Sequence, residues 1–451
     1  MSYHAPIRMR PTMLLLTISH IVLLILPASA TYWPIPPINQ VHPLGNNWGN
    51  YQNYGSSPYF HPGIDVITPD TSGVEVRAVG HGWVKAWGTI QAELHYRLAV
   101  CDSPLTYTGR AEGWLYAHID PNRWHKNLGD EVQEGEVIGY LVAWPIDASF
   151  DHLHFARISD TGATWQRFPQ PTWWFIQNPL TIIQPNTDLE PPVFENARTN
   201  ARFAFCRNNT STYLNPNNLT GDVDIIAKIY DRTGFSTGNS TWDKLAPFLI
   251  EYSIKSAGGS IVVPWTIGVI FSGRLEDALV SVVYKNDNTC RSQGDYENRS
   301  YYYIVTNTDG DSIIESTDIQ GKWATAEVGD GDYWVLIRAS DVVGNTTVDS
   351  MLVHTANGVA LAEQNSTFLT APLRATPANG NWQIDFGISR AAPVRLTVFD
   401  PTGRQVTILA EQRLAPGNHR ASFRPSASGV YFVNLTVGFK ETYQTKLTVI
   451  K

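Results

Sequence analysis

The sequence predicts an all-β protein built of several modules. Helix periodicity is scarce, and short alternating apolar–polar runs recur about every 8–12 residues. Those runs are bounded by Gly, Asn, Asp and Pro, as at Val223 to Tyr230, Tyr333 to Arg338, Val394 to Phe399 and Val430 to Val437. With 451 residues the chain has room for about three domains of ordinary size. Hydrophobic residues make up 43% and charged residues 16%, which suits buried globular modules and argues against long disorder. The formal charge of -8 and the lack of a basic run give no electrostatic footprint for nucleic acid, so no nucleic-acid partner is expected.

Residues 1–30 read as a secretory signal peptide. Arg8 and Arg10 precede the apolar run Met13 to Leu26, which ends at Pro27 and the small residues Ala28-Ser29-Ala30. The run is short for a membrane span, and no later stretch has the eighteen or so uninterrupted apolar residues that one needs. A mature chain beginning near Thr31, exported and without a stable span, is expected.

The segment 31–186 carries most of the chemistry. In "FDHLHFARI", His152 and His154 lie on one face of a strand, with Leu153 and Phe155 on the other. A metal, a catalytic pair and a chance surface pair all fit that spacing. Upstream, "HPGIDV" sets His61 and Asp65 four apart. On an extended strand they would be about 13 Å apart, too far to share an ion, and Pro62-Gly63 opposes a helix. A tight bend at Pro62-Gly63, using the backbone freedom of glycine, would bring the two side chains to one point. Two imidazoles and one carboxylate would make a three-ligand site, with a fourth position for water, as in catalytic zinc. His81, His95 and His125 lack partners at useful spacing, and the dense tryptophans, Trp173-Trp174 among them, read as core.

The segment 187–360 follows a polar, proline-bearing seam at Gln184 to Pro192. Its "GDYWVLIRASDVVGNTT" reads as the last hairpin of an immunoglobulin- or fibronectin-like sandwich, without a ligand cluster. Cys206 and Cys290 fall here and are candidates for a disulfide in an oxidising compartment, which leaves Cys101 as a small buried hydrophobe. After a linker at 361–371, residues 372–451 read as a small β-sandwich. There the Asp400-Pro401-Thr402-Gly403 turn joins two alternating strands.

Two resemblances sharpen these readings. His61-x-Gly63-x-Asp65, Tyr116-Ala117-His118 and His152-Leu153-His154-Phe155, in that order, resemble the lysostaphin/LytM-type zinc metalloendopeptidases. The likeness covers about residues 55–160 and extends to "VRAVGHGWV" and "LGDEVQEGEVIGYL", which look like that family's hairpin motifs. It implies a compact antiparallel β-sheet with a groove, with Zn2+ held by His61, Asp65 and His154. His118 and His152 would then be non-ligand catalytic histidines, and the substrate would be the peptides of bacterial peptidoglycan. The chain departs from the pattern at Ala156-Arg157, where an acidic residue often follows "HLHF", and at Gln91 to Gly113, in place of a short Gly-rich hairpin. The last eighty or so residues resemble the sorting domains of type IX secretion cargo. That implies export through the periplasm, the type IX machinery as partner, and a secreted or cell-surface location. Other functions for the same fold are a catalytically inactive wall-binding or regulatory module, and a secreted protease acting on proteins.

Overall fold

The computed structural model describes residues 31–54, 57–68, 73–90, 95–144, 147–166, 173–357, 369–378, 380–401, 404–438 and 441–449. The expected signal peptide, most of the linker, and Thr402-Gly403 of the expected turn lie outside them. The chain is all-β: the helical elements among the described residues are one turn of α-helix, Val280–Val283, and short 3-10 turns. No described helix is long and apolar enough to cross a membrane. The chain divides into two compact units, Met1–Asn357 and Gly358–Lys451.

The first unit begins with an antiparallel sheet. Its main strands are β1 (Leu44–Asn46), β2 (Ile64–Ile67), β3 (Gly82–Ile90), β4 (His95–Cys101), β5 (Ala111–Ala117) and β6 (His152–Asp160). Their order across the sheet is β1-β2-β6-β5-β4-β3, with Glu131–Val132 beyond β3 and Trp174–Gln177 paired to β6. The two segments that look like hairpin motifs pair with each other, Glu75–Arg77 with Val137–Tyr140 and Gly82–Ile90 with Glu131–Val132.

Alternation along β6 explains why the sheet is packed on both faces. Leu153 and Phe155 are fully buried in a core with Val66, Leu98, Val100, Trp114 and Tyr116. The Phe155 ring stacks on Trp114 at 4.8 Å, a contact worth about 0.5–1.5 kcal/mol beyond its buried area. The opposite face carries His152 and His154 and then Ala156 and Ile158. The latter two join a cluster of small residues, Ala86, Ala99, Cys101 and Ala111, with Leu115, Trp165 and Trp173. Ala156 is therefore a close-packed core position, and Arg157 reaches Glu112 on β5 at 2.8 Å and lies over the Trp114 ring.

The rest of the first unit is a two-sheet sandwich. One sheet centres on Asp222–Tyr230, flanked by Val193–Glu195 and Phe203–Arg207; the other runs Ile261–Ile270, Leu249–Ser256, Gly331–Ser340, Thr346–Thr355. The seam expected near residue 187 separates sheets but not bodies. Trp48, Tyr51 and Phe60 are buried in the sandwich core, and Leu245 of the sandwich is buried in the core of the first sheet. Cys206 and Cys290 share a buried cluster but are free thiols, a correction to the expected disulfide candidate. Cys206 Sγ faces the Asp224 carboxylate at 3.8 Å and Cys290 Sγ faces the Ala197 carbonyl at 3.9 Å. Cys101 is the buried hydrophobe expected, its thiol pushed up to about 11 by burial.

The second unit is a smaller sandwich. Leu369–Ala378, Asn381–Ile388 and Gly417–Phe423 form one sheet; Gln405–Leu414, Ala392–Phe399, Gly429–Val437 and Glu441–Val449 form the other. Ile384, Phe386, Leu396, Val398, Val433 and Leu435 fill its core.

Candidate metal centre

Register brings the site together. β6 lies between β2 and β5, and His154 sits directly across from Asp65 on one side and from Ala117 on the other. His118 follows Ala117 at the end of β5. His61 precedes β2 and turns back at the Pro62-Gly63 bend, as expected. Gly63 serves a different purpose from the one predicted, because its φ is not positive. A Cβ there would lie 2.9 Å from the His154 ring and 2.7 Å from the Phe155 carbonyl oxygen, so glycine is needed for close approach.

Three donor atoms converge. His61 Nε2 lies 3.1 Å from Asp65 Oδ1 and 3.1 Å from His154 Nδ1, and His154 Nδ1 lies 2.9 Å from Asp65 Oδ1. With zinc bonds of about 2.0–2.1 Å, neighbouring ligand atoms in a tetrahedral site are about 3.3 Å apart, so this triangle has a suitable size. His61, Asp65 and His154 are thus a group able to hold a metal ion.

The protons support the same reading. His61 Nδ1 lies 3.2 Å from the Asn47 carbonyl, which can only accept, so the His61 proton sits on Nδ1 and its Nε2 lone pair faces the triangle. With a proton on His154 Nδ1, two acceptors, His61 Nε2 and Asp65 Oδ1, face each other across that single proton. A cation in the same place would satisfy all three atoms. Burial would push Asp65 up, yet His61, His152 and His154 hold it well below the usual carboxylate range. Burial lowers His154 to about 4, so its ring is neutral at ordinary pH, as a metal ligand must be.

The two other histidines are arranged differently. His152 Nδ1 donates to the Phe150 carbonyl at 2.7 Å, which leaves its Nε2 towards the site, 3.8 Å from Asp65 Oδ1. His118 has φ +69°, a left-handed conformation that costs a non-glycine residue on the order of 1 kcal/mol or more. Its N–H donates to the Tyr96 carbonyl at 2.7 Å and its own carbonyl accepts from Val142 at 2.9 Å, which holds it there. The ring that results stands edge-on to His152 at 4.5 Å and to Trp144 at 4.9 Å. Backbone strain of this kind concentrates at functional sites, which makes His118 a candidate beside the triangle.

Several supporting residues were not legible in the sequence. Asn46 Nδ2 donates to Asp65 Oδ2 at 2.6 Å, and Gln52 and Asn50 donate in turn to Asn46 Oδ1. Asn50 continues to Tyr301 of the sandwich at 3.1 Å. Phe150 is wedged between His152 and Trp242 of the sandwich, 4.7 Å from each. The asparagines in "GNNWGN" were the available signal, since three amides beside buried aromatics need partners. The histidines read as bystanders behave so where described: His81 pairs with Glu131, and His125 stacks on Trp87. The side chain of His95 lies outside the described residues.

No protein-family profile and no curated protein matches the chain. Among solved structures it is similar to dimeric latent PorU from Porphyromonas gingivalis, at 12% identity and TM-score 0.18 over 82% of this chain and 34% of that one. The chain thus spans about a third of that protein. It is also similar to the CupB2 chaperone of Pseudomonas aeruginosa, at 8% identity and TM-score 0.13 over 50% of this chain and 92% of that one. The 47-kilodalton lipoprotein Tp47 of Treponema pallidum matches at 8% identity and TM-score 0.15, over 81% of this chain and 99% of that one. Overlaps this loose define neither a family nor a function.

Proposed function

We propose that this protein is an exported zinc-dependent endopeptidase that hydrolyses peptide bonds in bacterial peptidoglycan. The observation that carries the reading is the division of five histidine and carboxylate side chains into two sets. His61, Asp65 and His154 present three atoms within 3.1 Å of one another, and His152 and His118 stand beside them on other bonds. A zinc ion held by His61, Asp65 and His154 would supply Lewis acidity for a peptide carbonyl and would bring the pKa of water towards about 7.

The chain's own residues do the rest. Asn47 and Asn46 fix the orientation of His61 and Asp65. His152 Nε2, the acceptor nitrogen of the neutral tautomer that the bond from Nδ1 to Phe150 selects, takes a proton from the attacking water and returns it to the leaving amine. His118 is held beside it by the left-handed turn and contributes a polar edge for the developing oxyanion. Peptidoglycan as substrate, and type IX secretion as the route for which the last sandwich is the signal, rest on the motif resemblances.

One observation favours a second reading, a metal-bearing module that binds or regulates without cutting. His61, Asp65, His118 and His152 are each at most 6% exposed, and a substrate must reach them. Digestion of purified peptidoglycan separates the two. The account expects soluble peptides with new amino termini, abolished by EDTA and restored by zinc. A zinc-loaded protein that binds walls yet releases no amino termini establishes the second reading. Release from unstructured proteins but not from walls moves the substrate to proteins.

A further inference from the structure

The geometry points to a second metal site in the first unit, at Asp188, Asp231 and Asp341, that takes a hard divalent cation of the Ca2+ type. Each carboxylate offers an oxygen, and the three oxygens lie within 4.8 Å of one another. The residues come from distant places: the seam at 188, the end of strand Asp222–Tyr230, and the turn between Gly331–Ser340 and Thr346–Thr355. All three are buried, with 6%, 3% and 4% exposure. None is paired with a Lys, Arg or His among the described residues. Burying three carboxylates so close together is costly unless a cation or protons neutralise them.

A separate observation points to a ligand. Asp231 Oδ1 is buried and has no hydrogen-bond partner among the described residues, although Asp231 is the most deeply buried of the three. Its backbone is fixed by two bonds to Leu245, at 2.8 and 3.0 Å. The carboxylates border a cavity of about 10 Å³, room for roughly one water or one ion, together with Trp33, His42 and Asn47.

The neighbouring groups are already oriented. Asp341 Oδ1 accepts from the N–H groups of Val343, Gly344 and Asn345, and its Oδ2 accepts from Asn345 Nδ2. The same Asn345 amide reaches the Asp188 carbonyl at 2.9 Å, and Asp188 Oδ1 accepts from the Glu190 N–H. The three carboxylates offer only oxygen, and the His42 ring that borders the cavity has its Nε2 3.2 Å from the Pro37 carbonyl, so the grouped donor set selects Ca2+ over zinc. Mg2+ demands stricter octahedral geometry and gives up water reluctantly, so it is the weaker occupant.

A bound ion would tie the seam to the sandwich beside the wall that orients His61, because Asn47 borders the cavity and its carbonyl holds His61 Nδ1. The inference does not depend on the proposed peptidase activity. The full mature chain is stripped of metal, reloaded with one equivalent of zinc, and titrated with CaCl2 by calorimetry and by thermal melting. One Ca2+ per chain is expected, with a melting temperature raised by about 5 °C at saturation and a smaller effect of MgCl2. Asp231→Asn and Asp188→Asn should each weaken Ca2+ binding tenfold or more while zinc stays at one per chain. Should Asp231→Asn not fold, Asp188→Asn carries the comparison. Absence of a calcium-dependent heat and melting shift up to about 10 mM overturns the site, as does Ca2+ binding undiminished in the folded variants.

Discussion

Asn46 Nδ2 donates to Asp65 Oδ2 at 2.6 Å, on the side of the carboxylate away from the two histidines. The outer oxygen of Asp65 is thereby engaged, which leaves Oδ1 to face the metal position. The donor belongs to β1, the strand that pairs with β2, so the N-terminal stretch is part of the sheet that builds the site.

Asn46→Ala removes that donor and strands Oδ2 in a buried place. Zinc affinity should fall about 10- to 100-fold, the usual cost of losing an outer partner of a metal ligand. Competition with a chromophoric chelator measures it, and unchanged affinity would remove Asn46 from the account.

Gly63→Ala tests the close approach of the bend to His154. The new methyl carbon meets the His154 ring and the Phe155 carbonyl inside van der Waals distance, so a loss of about 1–3 kcal/mol and a reduced zinc content are expected. Gly80→Ala, with open space around the added carbon, is the control and should change little. Equal melting temperatures for the two variants would contradict the packing argument.

Acid should weaken the metal-free centre over a defined range. His154 is lowered by burial from 6.5 to about 4, so between those values the unfolded chain holds a proton that the folded chain does not. Stability from this group is full above about pH 6.5 and is lost as pH falls towards 4, by on the order of 3 kcal/mol. Denaturant unfolding of chelator-treated protein across that range should show the slope, and His154→Gln should flatten it.

Removal of residues 372–451 should leave the zinc content and melting of the first unit unchanged, because that unit has its own cores. If the last sandwich is a sorting signal, the truncated protein should also accumulate in the periplasm. Normal export of the truncation would refute the sorting reading.

Much of the fold was legible because period-2 patterning and turn residues are local. Val223 to Tyr230 and Val430 to Val437 emerge as strands within a residue of their expected ends. Spacing and the Pro62-Gly63 bend, properties of short stretches, pointed to His61, Asp65 and one histidine of the 152/154 pair; choosing His154, and adding His118 and His152 as catalysts, rested on the metalloendopeptidase resemblance. What the sequence concealed depends on tertiary approach. The positive φ of His118 is imposed by backbone bonds to Tyr96 and Val142, which no local pattern announces. Gly63 reads locally as a flexible hinge, while its actual constraint is a ring from a strand some ninety residues later. The merging of the first two segments through Trp48, Tyr51 and Phe60 was hidden too, because a buried aromatic does not declare which core it enters.

The central claim is that ligand and catalyst are different histidines two residues apart on one strand. Zinc content and amino-terminus release from peptidoglycan, measured together on His152→Ala and His154→Ala, test it most directly. The account predicts that His152→Ala keeps about one zinc per chain and loses activity on the order of 10²- to 10⁴-fold, while His154→Ala loses both. Zinc lost from His152→Ala but retained by His154→Ala, or wall digestion undiminished in either variant, would contradict it.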